Sequence, residues 1–292
     1  MASSFPKSLD TIFGASDTFT KRISQLTGGK FKIRSFAAGE IVPGLQVLDA
    51  VQAGTVECGH SASYYYFGKD ATFAFDCAVP FGLTSRQHTA WYDQGGGREL
   101  MRAFFKDYNI VNFLGGNSGT QMGGWFRKEI KTVADLKGTK MRVAGFAGKV
   151  LERLGVVPQQ LAGGDIYPAL EKGTIDAAEW VGPENDLAFG FQQIAKYYYY
   201  PGWHEPGPSM ELIINKTAFE NLPKDLQAIV TYAARAMSQD MFDSYTAHNS
   251  RALKELVDNQ GVQIRRLPDA VLKHFYEISQ QVYAEQAAKD PQ

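Results

Sequence analysis

Along the chain, apolar and polar positions alternate between two periods, and the switches mark out a run of helices and short strands. Asp10 to Gln25 carries the helical spacing, and Thr27-Gly-Gly29 stops it. Phe31 to Phe36 alternates like a strand. Leu45 to Ala53 reads as a helix closed by Gly54, with Val56 to His60 as a buried strand. Further on, Trp125 to Arg127 reads as a strand, Thr132 to Gly138 as a capped helical turn, and Lys140 to Ala144 as a strand. Gly148 to Leu154 is a helix ending at Gly155. Asp165 to Glu171 is a helix ending at Lys172-Gly173, followed by a strand over Ile175 to Trp180. Tyr197 to Tyr200 and Glu211 to Asn215 are strands separated by the rigid segment Pro201 to Pro208, of a kind that carries a chain between lobes. From Lys224 to about Asp258 there is neither Pro nor Gly. That predicts a helix roughly 50 Å long at ~1.5 Å per residue, enough to run along two lobes. A strand from Val262 to Leu267 and a helix from Pro268 to about Lys289 follow.

Two passages share a pattern. Ala50 to Gly59 lines up with Ala169 to Ala178 as helix, Gly-Thr, β-branched residue, acid and two small residues. The spacing is far beyond a solenoid repeat. It points to two similar α/β lobes, with coincidence as the alternative because helix-Gly-strand turns are common. Composition then narrows the classes. With 30 Lys+Arg against 31 Asp+Glu, the 292-residue chain lacks the positive excess of a nucleic-acid binder. At 44% hydrophobic it can build a core, yet no apolar run reaches the ~18 residues of a membrane span. No basic segment followed by an apolar stretch opens the chain, so no signal peptide is visible. This leaves a cytoplasmic protein, or a mature or recombinant form of an exported one. Cys58 and Cys77 fit no zinc or redox spacing. They read as two buried reduced thiols, or as one disulfide if the protein is exported.

Catalytic patterns fail one by one. Gly116 to Thr120 has Thr where a nucleophile elbow needs Gly. His204-Glu205 runs into Pro-Gly-Pro, not into the helix of a zinc protease. Gly95-Gly-Gly97 reads as a flexible turn, not a phosphate cradle. His60, His88, His248 and His274 have no spaced partner and read as structural or surface residues.

Thr132-Val-Ala-Asp-Leu-Lys-Gly-Thr-Lys-Met-Arg-Val143 resembles the corresponding stretch of periplasmic solute-binding subunits of TRAP transporters. So do Gly54 to Glu57, Gly173 to Trp180 and the long helix after Leu222-Pro-Lys224. The likeness covers essentially the whole chain. It is closer to the branch that binds 2-oxo acids such as pyruvate, through Ser3 to Leu9, Tyr64 to Phe67, Glu179 to Pro183 and Gly202 to Pro206. The resemblance implies a two-lobed α/β fold of the type II periplasmic-binding-protein kind. Each lobe is a mixed sheet flanked by helices, and the long helix spans both. Residues 1–122 with about 207–240 would form the first lobe. Residues 123–206 with about 241–292 would form the second, with about 224–258 shared. It also implies a non-catalytic periplasmic protein that closes on a small organic anion and delivers it to TRAP membrane subunits.

The site residues follow from the same resemblance. Arg142 pairs with the substrate carboxylate, as a planar guanidinium can through two parallel bonds. A cation, Na⁺ or Ca²⁺, bridges protein and substrate, held by Gln121, Glu179, the carbonyl of Trp180, and Glu205. These are hard oxygen donors that suit such ions and disfavour zinc. With two acids and an anionic ligand facing one arginine, Na⁺ leaves a net negative charge and Ca²⁺ leaves none. Tyr64, Tyr65 and Tyr66 sit where open α/β sheets bind ligands, at most one or two facing the cleft if the segment is extended; Tyr65 and Tyr66 are taken as substrate contacts. Trp180 and Trp203 would wall the apolar side, and Tyr197 to Tyr200 belong to the core or the lobe surface. In the 2-oxo acid branch a further C-terminal helix can be exchanged within a dimer. The chain ends at Lys289-Asp-Pro-Gln292, which leaves monomer and homodimer both open. Alternatives to a 2-oxo monocarboxylate are lactate, a C4-dicarboxylate or a sugar acid in the same architecture, or a metal-assisted enzyme acting on 2-oxo acids.

Overall fold

Two sheets divide the strands between them in a computed structural model that describes residues 1–289. The first has the order β1-β2-β9-β3, with β1 Ala2–Ser3, β2 Cys58–Ser61, β3 Ile110–Asn117 and β9 Ser209–Asn215. β1 runs parallel to β2, and β9 is antiparallel to both β2 and β3. The second has the order β10-β8-β4-β7-β5-β6. Its members are β4 Gly124–Phe126, β5 Lys140–Arg142, β6 Val157–Gln159, β7 Ala177–Ala178, β8 Tyr197–Tyr200 and β10 Gln263–Arg266. Parallel pairing joins β7-β5-β6 and β10-β8, and antiparallel pairing joins β4 to β7 and β8. The architecture is two lobes, each a mixed sheet with helices. The positions 290–292, assigned from sequence to the second lobe, lie outside the described residues.

The helices are α1 Ile12–Leu26, α2 Val47–Gln52, α3 Ser85–Gln94, α4 Gly97–Lys106 and α5 Gly145–Arg153. They continue with α6 Gly163–Glu171, α7 Pro183–Phe189, α8 Lys216–Glu220, α9 Lys224–Asp258 and α10 Asp269–Lys289. α9 packs on α1 and β3 of the first lobe and on α7 of the second, so one helix serves both. Its buried stripe, Val230, Ala233, Ala234, Met237, Met241 and Tyr245, keeps a spacing of three and four.

The two matching passages fold alike. Gly54 and Gly173 both take left-handed φ values, +74° and +71°. The next residues, Thr55 and Thr174, donate to Ala50 and Ala169, each at 2.9 Å. Positive φ is available to Gly without Cβ strain, which is why Gly closes both helices.

Several expectations are corrected. Phe31 to Phe36 forms no strand: only Phe36 bridges Ala2, with Ser3 N donating to Phe36 O at 2.8 Å. The strand expected over Ile175 to Trp180 shrinks to Ala177–Ala178. The helix expected from Gly148 begins at Gly145. Tyr64 to Tyr66 lie in a 3₁₀ turn, Ser63–Tyr66, and not in an extended segment, so the alternation argument does not apply and all three rings are buried. Gly95 to Gly97 form a tight corner between α3 and α4. A Cβ on Gly97 would stand 2.7 Å from the Trp91 ring, so this Gly is needed for close approach, not for flexibility. Cys58 and Cys77 are free and buried, and burial pushes both thiols up.

The first lobe also holds a buried acid pair. Asp76 and Glu211 are fully buried beside Asn112, whose Nδ2 donates to Asp76 Oδ2 at 3.0 Å. Burial pushes the Asp76 carboxyl up to about 6 and that of Glu211 well above its usual range. The lobes meet in closed form. Tyr283 of α10 donates to Pro80 O at 2.7 Å, Gln160 Nε2 to Tyr65 O at 2.6 Å, and the Phe67 and Phe146 rings meet edge to face at 4.9 Å.

Candidate functional site

Arg142 closes β5, and Glu179 follows β7, its parallel neighbour. Arg142 is registered against Ala178, and the next residue, Glu179, donates its N to Arg142 O at 3.2 Å. Both side chains therefore stand at the carboxyl edge of the sheet, where such sheets bind ligands. Arg142 Nη1 donates to Glu179 O at 2.8 Å and pairs with the Glu179 carboxylate, while Nε donates to Leu161 O at 3.3 Å. The guanidinium carbon lies 5.0 Å from the Trp180 ring centroid. Both members of the pair are buried, Arg142 at 0% exposure and Glu179 at 1%. Desolvation opposes the arginine's charge, but Glu179, together with Tyr64, Tyr65 and Glu205, raises its pKa and holds Arg142 protonated.

Two chain crossings between the sheets supply the rest. Residues 118–123 and 201–208 run side by side, with Gln121 N donating to Glu205 O at 3.2 Å and Thr120 Oγ1 to Pro206 O at 2.8 Å. They bring Gln121, His204 and Glu205 against the Arg142–Glu179 pair. His204 Nε2 stands 3.3 Å from Glu179 Oε2. One ligand atom from each of Glu179, His204 and Glu205 lies within 4.8 Å of the others. Desolvation would lower the His204 pKa, yet the hydrogen bond and charge of Glu179 raise it. The Glu205 carboxyl is pushed up to about 8, first by burial and then by repulsion from Glu179.

The loop carrying Trp180 is pinned from behind. Asp186 of α7 accepts from Val181 N at 3.1 Å, Trp125 Nε1 at 2.9 Å and the Tyr198 hydroxyl at 2.6 Å. Trp125 and Tyr198 stack at 3.9 Å. Three donors on one buried carboxylate fix where Trp180 leaves the sheet. Gly163 at the start of α6 lies under the Trp180 ring, and a Cβ there would stand 2.6 Å from its Cη2.

Four buried polar atoms around the cluster have no hydrogen-bond partner among the described residues: Arg142 Nη2, Gln121 Oε1, Glu205 Oε2 and Trp180 Nε1. Buried polar groups are nearly always paired. A donor from Arg142 together with acceptors from Gln121 and Glu205 suits an anion and a cation arriving together. Carboxylate and amide oxygens fit a hard cation.

The expected residues divide. Arg142, Glu179, Trp180 and Glu205 come together; Gln121 adjoins them through its backbone bond to Glu205, while its Nε2 donates to Ser118 Oγ at 3.2 Å. Tyr65 lies at the cluster's edge, its ring 6.5 Å from Phe5, which also faces Trp180. Tyr66 does not join them: its hydroxyl bonds Leu48 N at 3.1 Å and Ser61 Oγ at 2.8 Å inside the first lobe. The Trp203 ring is taken up by Phe275 at 4.4 Å and Phe81 at 5.7 Å. Sequence reasoning passed over His204 and the Leu161 carbonyl, and from the three tyrosines it took Tyr65 and Tyr66 but not Tyr64. Tyr64 reaches across to Gly145, where a Cβ would meet its ring at 3.4 Å, and its acidity is suppressed by burial and by Glu205. His204 was tested only as half of a zinc-protease motif, and its place beside Glu205 was the available signal.

Residues 2–290 match the profile of the bacterial extracellular solute-binding proteins, family 7. The chain belongs to this family. A periplasmic protein of Nostoc sp., named for binding monocarboxylate 2-oxoacids, is 50% identical over 290 residues, 99% of this chain and 79% of that protein. A TRAP solute-binding protein of Bordetella bronchiseptica has TM-score 0.98 and 50% identity, over 100% of this chain and 86% of the other. It was crystallised as a dimer of mixed occupancy, with calcium and picolinate in one site. One from Pseudoalteromonas atlantica, with bound sodium and pyruvate, has TM-score 0.96 and 43% identity, over 99% of this chain and 88% of its own. The family is one of transport solute-binding proteins, and no helix among the described residues is long and apolar enough to cross a membrane.

Proposed function

We propose that this family member captures a small 2-oxo monocarboxylate such as pyruvate together with Na⁺ or Ca²⁺, by closing its two lobes. In this reading it is not an enzyme. It works in the periplasm and hands its ligand to TRAP membrane subunits. The observation that carries the reading is the buried Arg142–Glu179–His204–Glu205 cluster, in which Arg142 Nη2 and Glu205 Oε2 have no partner among the described residues, as has Gln121 Oε1 on the adjoining segment. The Nostoc relative named for binding 2-oxoacids, and the neighbour holding sodium with pyruvate, support the choice of ligand.

Gln121, Glu179, the carbonyl of Trp180, and Glu205 would hold the cation. Bound there, it supplies positive charge that lets two acids and an anion share one dry site, and it can take both oxygens of a 2-oxo acid. Arg142 would orient the carboxylate, Trp180 covers the guanidinium's face, and Glu205 would hold the cation as a carboxylate. The lobe boundary lies in the paired crossings at about 118–123 and 201–208, with α9 shared.

Intrinsic tryptophan fluorescence tests the reading, because Trp180 adjoins the ligand. Titration with pyruvate and 2-oxobutyrate should give a saturable response only when Na⁺ or Ca²⁺ is present. A stronger response to lactate or succinate would transfer the assignment to those anions. Consumption of pyruvate would make the protein an enzyme.

A further inference from the structure

A groove of about 1280 Å³ runs between α3, α4 and the first half of α9, on the first lobe and away from the ligand cluster. Its α9 wall is formed by residues three and four apart, Gln227, Thr231, Ala234, Ser238 and Phe242. The middle three are small, so the wall is hollow. Phe113, Leu114 and Phe219 add apolar surface. Charge is distributed unevenly. Arg86, Arg98, Arg102, Lys224 and Arg235 line the groove against one acid, Asp93. Asp93 is already shared by Arg98 and Arg235, the latter at 3.1 Å. Arg102 is anchored by Nε on Asn112 O at 2.8 Å with its guanidinium 4.4 Å from the Phe113 centroid. A chain of net charge -1 thus gathers a clear positive excess in one concave surface.

We infer that this groove is a docking surface for an amphipathic helix of a protein partner, with acidic residues flanking an apolar face. The dimensions fit. Lys224 to Phe242 spans roughly 27 Å at ~1.5 Å per residue, and half of a helix ~10 Å across over that length occupies about 1050 Å³. The chemistry fits as well. Four of the five cations are arginines, whose forked donors pair with carboxylates. Tyr232, 72% exposed, supplies an aromatic contact on the α9 side, a common element of binding hot spots. A concave surface with apolar walls and charged neighbours accepts a helix. A flat anionic bilayer would meet a convex basic face instead. The inference does not depend on which anion the interlobe cleft holds.

The test uses the full chain and a fluorescein-labelled peptide of about 18 residues, with leucines on one face and glutamates on the other. Fluorescence anisotropy at low salt should show saturable binding. The doubly reversed variant Arg86→Glu with Arg235→Glu should weaken it at least tenfold while leaving the pyruvate fluorescence response in place. Replacing the peptide's glutamates by glutamines should weaken it similarly. Absence of saturable binding, or equal binding by the variant, overturns the proposal. Binding of phosphatidylglycerol vesicles but not of the peptide would assign the groove to a lipid surface. A dimer of the wild-type chain that the variant breaks in sedimentation would assign it to a second copy. Either result replaces the partner helix.

Discussion

Replacing Arg142 separates the two roles its guanidinium combines. In the closed site Nη1 serves the Glu179 carbonyl and carboxylate, Nε serves Leu161 O, and Nη2 alone is free. Arg142→Lys keeps the charge but offers one ammonium, which must divide its donors between Glu179 and an incoming carboxylate. Losing one charge-assisted hydrogen bond costs about 1.5–3 kcal/mol, or ~10- to ~150-fold in Kd. Arg142→Ala also strands the Glu179 carboxylate at 1% exposure. Breaking a buried pair from one side costs about 3–5 kcal/mol, or roughly 150- to 5000-fold. Calorimetric titration with pyruvate in sodium buffer should therefore rank wild type, Lys and Ala in order of weakening affinity. Circular dichroism melting should confirm that each variant is folded at the assay temperature. A folded Arg142→Ala protein with a Kd within a few fold of wild type would refute the assignment. Lys matching wild type would show that a point charge suffices and the fork does not.

Other outcomes follow from neighbouring residues. Glu205→Gln imitates the protonated acid that burial and Glu179 favour, with its pKa pushed up to about 8. Pyruvate binding should then lose its cation dependence, along with the proton release that makes wild-type binding enthalpy vary with buffer; a wild-type enthalpy independent of buffer would contradict this. Gly163→Ala puts a methyl 2.6 Å from Trp180 Cη2, so the ring must move. Overpacking of this kind costs about 1–3 kcal/mol, read as a lower melting temperature and weaker pyruvate binding. Asp76, with a folded pKa near 6 against an ordinary 3.8, stabilises the protein fully below pH ~4 and loses that contribution as pH rises through 6. The loss is about 3 kcal/mol. Asp76→Asn should make the stability profile between pH 4 and 6.5 less steep in urea titrations, leaving the slope that Glu211 contributes, and parallel profiles would exclude the effect.

Local signals made much of this legible in the sequence. α9 was readable to its ends because no Gly or Pro interrupts it. The two Gly-Thr turns were readable because positive φ selects Gly. The short strands were not. β7 keeps two residues because Glu179 and Trp180 leave the ladder for the site, which no periodicity encodes. The passage from α3 to β3 went unread, and polar residues such as His88, Asn112 and Asn117 are buried there by pairing with Ser209 and Asp76. The cluster's carboxylates and arginine were found through family likeness. His204 was not, since its partner Glu179 is distant in sequence and only the crossing segment joins them.

The position of β9 has a consequence for how the molecule is made. This strand, Ser209–Asn215, lies between β2 and β3 and is the partner of both. The first sheet therefore stays in two pieces until most of the chain has been synthesised, although three of its four strands lie within the first 117 residues. In the second sheet only the edge strand β10, which follows α9, comes late; β4 to β8 are contiguous in the chain. The first sheet is thus completed only after most strands of the second have been made. The first lobe should acquire its structure late, and slowly for its size, because its central pairings join distant residues. Until then its unpaired strand edges need shelter from aggregation.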